Sequence, residues 1–291
     1  MNSKLTILQP MRYIWFYFAI SLAVIIPGTY SLIRYGLNPS IDFTGGTTII
    51  WTTTATEENI RSIFQSEGVT LKSISHQAET WTMRTDPLEP ATYQKIKSSL
   101  PSATELSYDT VGPSLGSELI RKTLYAVLLA SASILLYVAY RFRNFKFGVS
   151  AILAMLHDTL VLLGVFSLIG HYSGVEVDTL FVTAVLTILS FSVHDTIVVY
   201  DRIRELSRRH GYLDFVDIVN RAVVETMGRS INNSLTIIFM LLAMYLLGGE
   251  TTKWFIFALL IGTISGTYSS TFTAAPLLIL WEKISRRELT H

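Results

Sequence analysis

Residues 147–169 read FGVSAILAMLHDTLVLLGVFSLI, a long apolar run interrupted near its middle by His157 and Asp158. The hydrocarbon core of a bilayer is about 30 Å thick and is crossed by roughly 20 apolar residues in an α-helix. The run therefore predicts a transmembrane helix. Its polar pair lies at a depth where burying polarity costs the most free energy, which makes it a candidate functional feature.

Five further stretches of the chain have the same character. These predicted spans are residues 13–34, 119–140, 177–200, 228–247 and 254–281. The chain of 291 residues is 50% hydrophobic and 15% charged, with a mean hydropathy of +0.42. This composition excludes a disordered chain, a nucleic-acid-binding basic protein and an ordinary soluble enzyme. The net charge of +1 and the lack of cysteine indicate no polyanionic partner, no disulfides and no thiolate metal site.

Basic residues are concentrated on one side of the predicted spans. They form three groups, one after span two, one after span four and one after span six. In this order the groups are Arg141, Arg143 and Lys146; Arg202, Arg204, Arg208, Arg209 and Arg221; and Lys283, Arg286 and Arg287. Cytoplasmic loops carry an excess of lysine and arginine, so we expect both termini in the cytoplasm. Residues 201–227 are then a cytoplasmic segment, predicted as a surface helix broken near Gly211, and residues 282–291 a cytoplasmic tail.

The long segment between spans one and two, residues 36–118, is predicted to be an extracytoplasmic domain. It carries five basic and ten acidic residues, which suits an exported soluble module. Alternation of apolar residues predicts strands at 47–53, 70–76, 80–85 and 104–110, and helical spacing predicts helices at 56–67 and 89–100. The order β-α-β-β-α-β is that of ferredoxin-like folds. The predicted fold class is thus a membrane α-helical protein with six transmembrane helices and an inserted α+β ferredoxin-like domain.

Three places within the spans carry ionisable residues. They are Asp158 in span three, His194 and Asp195 in span four, and Arg229 early in span five. An Asp195–Arg229 pair at similar depth is predicted from the topology, because spans four and five adjoin. Two interpretations remain open for the acids: a buried salt bridge that fixes helix register, or groups that change charge during function.

A polar stripe accompanies Arg229. Asn232, Asn233 and Thr236 follow it at i+3, i+4 and i+7, and Ser192 lies within one turn of Asp195. Lipid offers these groups no hydrogen-bond partners, so we expect the stripe to face the interior of a bundle. Span six carries a ridge of small residues that includes Gly262 and Gly266, for which packing within the chain is predicted, and Pro276 predicts a kink.

Four ordered motifs complete the pattern. They are IDFTGGT at 41–47, VGPSLG at 111–116, FSVHDTIVVYDRIRE at 191–205 and RSINNSLT at 229–236. Together they resemble the SecF branch of the SecD/SecF family of protein-export membrane proteins, within the resistance-nodulation-division superfamily. The glycines of the first two motifs, Gly45, Gly46, Gly112 and Gly116, are predicted to form either flexible joints or plain tight turns.

The resemblance implies a role in protein export, at the cytoplasmic membrane of a bacterium or archaeon. It implies that SecD is a partner, that the SecYEG channel and an unfolded preprotein are engaged, and that proton motive force promotes translocation and release outside. Protons would be the coupling ion, with no cofactor, no metal and no enzymatic activity. The family's proton-linked pair maps onto Asp195 and Arg229, although the family commonly has Asn where this chain has His194. Two alternatives remain: a proton-driven exporter of small molecules or lipids, and a non-transducing subunit that braces a channel.

Overall fold

The computed structural model describes residues 9–77, 79–142 and 145–288. Within these ranges, six helices are long and apolar enough to cross a membrane, which confirms the six predicted spans. The helices that form them are α1 (Ile14–Tyr35), α5 (Pro113–Phe142), α6 (Phe145–Ser173), α7 (Thr179–Arg209), α8 (Phe215–Leu247) and α9 (Glu250–Ser269), which continues through a π-helical turn into α10 (Ala275–Glu288).

The chain divides into two compact units. One, here called the helical unit, consists of the chain up to Asn38 and from Val127 onward; the other, here called the lobe, spans Pro39–Ala126. Helices α1 and α6 to α9 pack closely within the helical unit. Its core is made of fully buried aliphatic and aromatic side chains such as Leu162, Phe166 and Ile203.

The small-residue ridge of the last span packs within the chain, as predicted, and its partner is α7. A Cβ placed on Gly266 would lie 3.3 Å from the Cβ of Ser192, and one placed on Gly262 would collide with the side chain of Ile188. Small residues allow helix backbones to approach closely in membranes. This close approach brings the serines of α9 and α7 into the centre of the unit, where α6 also passes.

The predicted kink in the last span takes the form of a π-helical turn. Residues Ser270–Ala274 form a π-helical turn between α9 and α10 that ends two residues before Pro276. Proline lacks the N–H that an α-helix needs, and its ring clashes with the carbonyl four residues earlier. An inserted π-turn relieves this conflict, and such turns are frequent at functional sites.

The lobe contains a short helix α2 (Ile41–Thr44) and four strands with two helices. In chain order these are β1 (Gly46–Thr52), α3 (Glu57–Ser66), β2 (Leu71–Gln77), β3 (Thr80–Thr85), α4 (Pro90–Ser98) and β4 (Thr104–Val111). The strands form one antiparallel sheet in the order β2-β3-β1-β4. Ile49 and Trp51 of the central strand pack on Ile60, Phe64 and Ile96 of the two helices, all essentially inaccessible to solvent.

The predicted break near Gly211 is confirmed, but the prediction of a separate surface helix between residues 201 and 227 is wrong. Helix α7 continues from the predicted span to Arg209, and α8 begins at Phe215, so only a short link separates two long helices. The apolar residues Leu206, Ile218 and Val219 are buried in the core of the helical unit. The amphipathic pattern in residues 201–227 therefore belongs to the extended ends of α7 and α8. Hydrophobic periodicity alone does not distinguish such extensions from an independent surface helix.

Candidate functional site

Asp158 lies at the centre of the helical unit and is almost fully enclosed, with 1% of its surface exposed. Three serine hydroxyls donate to its carboxylate: Ser192 of α7 at 2.5 Å, and Ser265 and Ser269 of α9 at 2.6 Å each. The neighbouring His157 contributes its Nδ1 at 3.0 Å from Oδ1. Three helices therefore meet at this carboxyl group, and each oxygen has two polar neighbours.

A chain of polar groups leads from Asp158 toward α1. The Nε2 of His157 is 3.0 Å from the Oγ of Ser21, and that hydroxyl is 3.4 Å from the phenol oxygen of Tyr268. The Tyr268 hydroxyl in turn donates to the backbone carbonyl of Tyr17 at 2.6 Å. A buried imidazole between a carboxyl group and a hydroxyl is an arrangement able to pass a proton, because both ring nitrogens are engaged.

Asp195 occupies a second buried position, with 6% of its surface exposed. The hydroxyl of Ser230 on α8 donates to its Oδ2. The hydroxyl of Ser270, the first residue of the π-turn, lies 3.5 Å from the same oxygen and also donates to the carbonyl of Thr267 at 3.2 Å. Oδ2 of Asp195 therefore has one hydroxyl group of α8 and one of the last span as neighbours.

The predicted Asp195–Arg229 ion pair is absent from the described structure. No basic nitrogen of the described residues lies within 4.0 Å of the Asp195 carboxyl oxygens, and the Arg229 side chain is exposed. Ser230, the next residue along α8, occupies the place beside Asp195 that was expected for Arg229. The helix turns about 100° per residue, so one step in sequence moves a side chain to a different face.

Arg229 instead lines a cavity of about 530 Å³. The cavity also contains Arg202, Glu205 and Glu225, with Val198 and Thr226 at its walls. Arg202 is paired with Glu205 at 2.5 Å and with Glu225 across to α8. Charged groups of both signs therefore meet in a polar space that adjoins the helices carrying Asp195 and Ser230.

The remaining residues of the predicted polar site lie apart from Asp195. Asn232, Asn233 and Thr236 are exposed, contrary to the expectation that they face the bundle interior, and the ring of His194 is exposed as well. Ser192 donates to Asp158 rather than to Asp195. The face of α8 that is buried carries Ser230 and Ser234 instead.

The motif glycines adopt tight geometry within the lobe. Gly45 and Gly46 have positive φ angles of 71° and 132°, and a Cβ on Gly46 would lie 2.8 Å from the carbonyl oxygen of Thr85. A Cβ on Gly116 would lie 2.8 Å from the carbonyl oxygen of Phe43, whereas Gly112 has open space. Three of the four positions thus require glycine for conformation or close approach.

Several residues of the site were missed by sequence reasoning. They are the hydroxyl donors and relay groups Ser21, Ser230, Ser265, Tyr268, Ser269 and Ser270. Serine is common at helix interfaces in membranes, so no single one stands out in the sequence. Among the described residues, no group of three or more His, Asp or Glu side chains is arranged to hold a metal ion.

The fold and the site together define a polytopic membrane protein with ionisable groups buried among its spanning helices and one α+β lobe. Comparison with known proteins assigns the family. Residues 92–284 match the family described as protein export membrane protein SecD/SecF, C-terminal, and residues 30–50 match the SecD/SecF GG motif, which includes Gly45 and Gly46. The chain belongs to the SecD/SecF family of protein-export membrane proteins, and its function is that of an accessory subunit in Sec protein export.

Individual relatives agree with this assignment. The chain is 42% identical to the protein translocase subunit SecF of Thermobaculum terrenum, over 94% of this chain and 93% of that protein. It is 36% identical to the protein translocase subunit SecDF of Thermus thermophilus, over 85% of this chain and 35% of that longer protein. The crystal structure of SecDF from that organism, described as a translocon-associated membrane protein, superimposes with a TM-score of 0.86 at 32% identity, covering 97% of this chain and 40% of that one.

Proposed function

We propose that this chain acts with SecD to couple proton motive force to preprotein movement through SecYEG and to preprotein release outside the cytoplasmic membrane. The observation that carries the proposal is the burial of two carboxyl groups, Asp158 and Asp195, in membrane-spanning helices, where their hydrogen-bond partners among the described residues are hydroxyl groups and His157. Carboxyl groups at such depth are costly, and they characteristically serve ion or proton pathways.

The proposed orientation follows the distribution of cations. Arg141, Arg202 and Arg204 lie at the ends of α5 and α7 that the positive-inside rule assigns to the cytoplasm. Both termini would be cytoplasmic, and the lobe would project on the outer side. We also propose that the lobe is a ferredoxin-like domain, supported by its β-α-β-β-α-β order and its β2-β3-β1-β4 antiparallel sheet.

SecD is proposed to cover the exposed polar stripe of α8. Arg229, Asn232 and Asn233 are exposed in the isolated chain, on a helix that crosses the membrane. Lipid cannot satisfy such groups, whereas a second helical bundle can. A relative from Thermus thermophilus is named SecDF, which supports a SecD half beside this one.

The proposed cycle has two states of Asp195. In one, the carboxyl group is neutral and keeps its hydrogen bond with Ser230, while the Ser270 hydroxyl donates mainly to the carbonyl of Thr267. In the other, it is ionised, and the Arg229 guanidinium moves from the adjoining cavity to pair with it, because a buried ion needs a counter-charge. The switch moves α8 against α7 between two discrete packings. One charge crossing 100 mV supplies about 2.3 kcal/mol, which biases such a two-state element strongly.

The test replaces Asp195 by asparagine, which keeps the side-chain shape but removes the titratable proton. Inverted membrane vesicles containing this chain, SecD and SecYEG are assayed for preprotein translocation with and without a proton gradient. We expect Asp195→Asn to lose the stimulation by the gradient while gradient-independent translocation continues. Asp201→Asn is the matched control, because Asp201 lies on the same helix but forms a half-exposed ion pair with Arg141.

Gradient stimulation that survives Asp195→Asn unchanged contradicts the proposal. That outcome favours a subunit that braces the channel without transducing energy. The control variant should retain stimulation close to that of the original chain.

A further inference from the structure

Two consecutive serines connect the two buried acids. Ser269, the last residue of α9, donates to Oδ2 of Asp158 at 2.6 Å, and Ser270, the first residue of the π-turn, lies 3.5 Å from Oδ2 of Asp195. Both serines are fully buried. Asp158 is on α6 and Asp195 on α7, so a single peptide unit of the last span reaches acids on two different helices.

The two serines differ in how firmly they hold their acids. The Ser269 hydroxyl is close to Asp158 and 3.3 Å from the carbonyl of Gly266, whereas the Ser270 hydroxyl is closer to the carbonyl of Thr267 than to Asp195. Successive helical residues point about 100° apart. A rotation of this segment that brings Ser270 toward Asp195 therefore carries Ser269 away from Asp158.

The π-turn supplies a place for such a rotation. The carbonyl of Ala274, at the end of the turn, accepts a hydrogen bond from the Tyr200 hydroxyl at 3.0 Å. The Oγ1 of Thr273, within the turn, lies 3.5 Å from the Oγ of Ser21, and the same Ser21 oxygen contacts Nε2 of His157. The turn is thus tied by side chains to α1 and α7 rather than by a continuous α-helical ladder, and π-turns are points where helices change register.

We infer that Ser269 and Ser270 are positioning residues that link the protonation of Asp158 to that of Asp195. The inference rests on the proposed function, in which Asp195 changes charge. When one acid loses its charge, it releases its serine, the segment rotates, and the other acid gains or loses a hydroxyl donor. A hydrogen-bond donor stabilises the charged form of a carboxyl group. The protonation of each acid therefore changes the proton affinity of the other.

Among the described residues, few other titratable groups face these acids. Asp158 contacts His157, and Tyr268 is linked to it through Ser21 and His157; the described contacts from α7 and α9 are made by hydroxyl groups. Around Asp195, α8 presents Ser230 with the exposed Arg229 next to it, and the π-turn presents Ser270. His194 precedes Asp195 on α7 with an exposed ring. A direct Coulomb interaction between the acids is the competing route, and it does not require either serine.

The experiment measures the protonation of Asp195 without relying on transport. A hydrophobic carbodiimide modifies protonated carboxyl groups in membranes, and mass spectrometry of the Asp195 peptide gives the extent of modification as a function of pH. The full chain is used with SecD in vesicles. We expect Asp158→Asn to change the proton concentration for half-modification of Asp195 by about fivefold or more, and Ser269→Ala to abolish that change.

Ser265→Ala is the matched control. Ser265 donates to the other oxygen of Asp158, from the same helix, but is not adjacent to Ser270. We expect the effect of Asp158→Asn on Asp195 to persist in the Ser265→Ala background. If Ser269→Ala impairs folding, Ser269→Cys replaces it, because a thiol of similar size is a weaker donor and the chain has no other cysteine.

An effect of Asp158→Asn that survives both Ser269→Ala and Ser270→Ala overturns the inference in favour of direct electrostatics. Asp158→Asn without effect on Asp195 overturns it as well. Both results are compatible with a loss of gradient-stimulated transport in Asp195→Asn, so the inference can fail while the proposed function stands. Asp195 that remains unmodified at every pH contradicts both.

Discussion

The backbones of Gly28 on α1 and Gly164 on α6 are in direct contact. A Cβ built on Gly164 would lie 2.6 Å from the Cα of Gly28, and one built on Gly28 would lie 2.9 Å from the Cα of Gly164. Nearby, the hydroxyls of Ser31 and Ser167 are 2.8 Å apart. Small residues that meet in this way let two membrane helices associate by packing and hydrogen bonding. The contact holds α1, which carries Ser21, against the helix that carries His157 and Asp158.

Replacing Gly164 by alanine should weaken this contact. The added methyl group meets backbone atoms that cannot rotate aside, so we expect a loss of about 1–3 kcal/mol of stability. The measurement is the thermal unfolding of the purified full-length chain in detergent. Gly148→Ala on the same helix is the control, because a Cβ there has no neighbour within 4 Å. Equal melting temperatures for the two variants would show that the interface between α1 and α6 has room for an added methyl group.

Gly116 and Gly112 of the second motif should respond differently to alanine. A Cβ on Gly116 would lie 2.8 Å from the carbonyl oxygen of Phe43 and 3.1 Å from the amide nitrogen of Gly45, whereas Gly112 has space. We expect Gly116→Ala to accelerate proteolysis within residues 39–126, and Gly112→Ala to leave the cleavage rate unchanged. A Gly112→Ala variant that is stable but transports poorly would support a flexible joint at that position.

Asp158 should tolerate asparagine better than leucine. The amide of Asp158→Asn keeps one oxygen acceptor, and the hydroxyls of Ser192 and Ser269 can turn to accept from its nitrogen. Asp158→Leu leaves three buried serine hydroxyls without this acceptor, each at a cost of about 1–3 kcal/mol if it finds no other. We expect thermal unfolding in detergent to show a much lower melting temperature for the leucine variant. The opposite order would mean that the hydroxyl groups readily find other acceptors, such as the backbone carbonyls of their own helices.

The helices and strands could largely be predicted from the sequence. A helix that spans lipid requires a long apolar run, and a strand with one buried face requires alternating apolar residues. The strand bounds of the lobe agree with those predicted from apolar alternation to within one residue at every end. Sheet order is different, since which strands pair depends on contacts distant in sequence. Pro276 likewise signalled an interruption, but whether it produces a bend or a π-turn depends on tertiary contacts, such as the hydrogen bond from the Tyr200 hydroxyl to the Ala274 carbonyl at the end of the turn.

The candidate site was only partly predictable for a related reason. Depth within an apolar run identifies Asp158 and Asp195 as costly residues whatever their neighbours are. The i, i+3, i+4, i+7 spacing of Arg229, Asn232, Asn233 and Thr236 correctly defines one face of α8, yet periodicity does not tell whether that face is covered by this chain. Serines that meet at Asp158 come from positions 192, 265 and 269, and only the packed structure brings them together.

The lobe should lose stability on acidification through Glu105. The Nζ of Lys97 lies 2.5 Å from a Glu105 carboxylate oxygen, and the Tyr93 hydroxyl donates to the same oxygen at 2.7 Å. These two hydrogen bonds hold the pKa of Glu105 below its ordinary value of 4.5, and the bond from Lys97 has the larger effect. A group whose pKa is lowered by folding stabilises the folded state above its unfolded pKa, and this contribution disappears as the pH falls through its folded pKa.

We therefore expect amide hydrogen exchange in α4 and β4 of the full-length chain, corrected for intrinsic rates, to become faster below about pH 4.5. The effect should remain below about 1 kcal/mol, because the pair is partly exposed to water. Glu105→Gln should remove most of this pH dependence, while Glu58→Gln on the exposed side of α3 should retain it. An unchanged acid response in Glu105→Gln would show that another carboxylate of the lobe is responsible, since only the titration of Glu105 is removed in that variant.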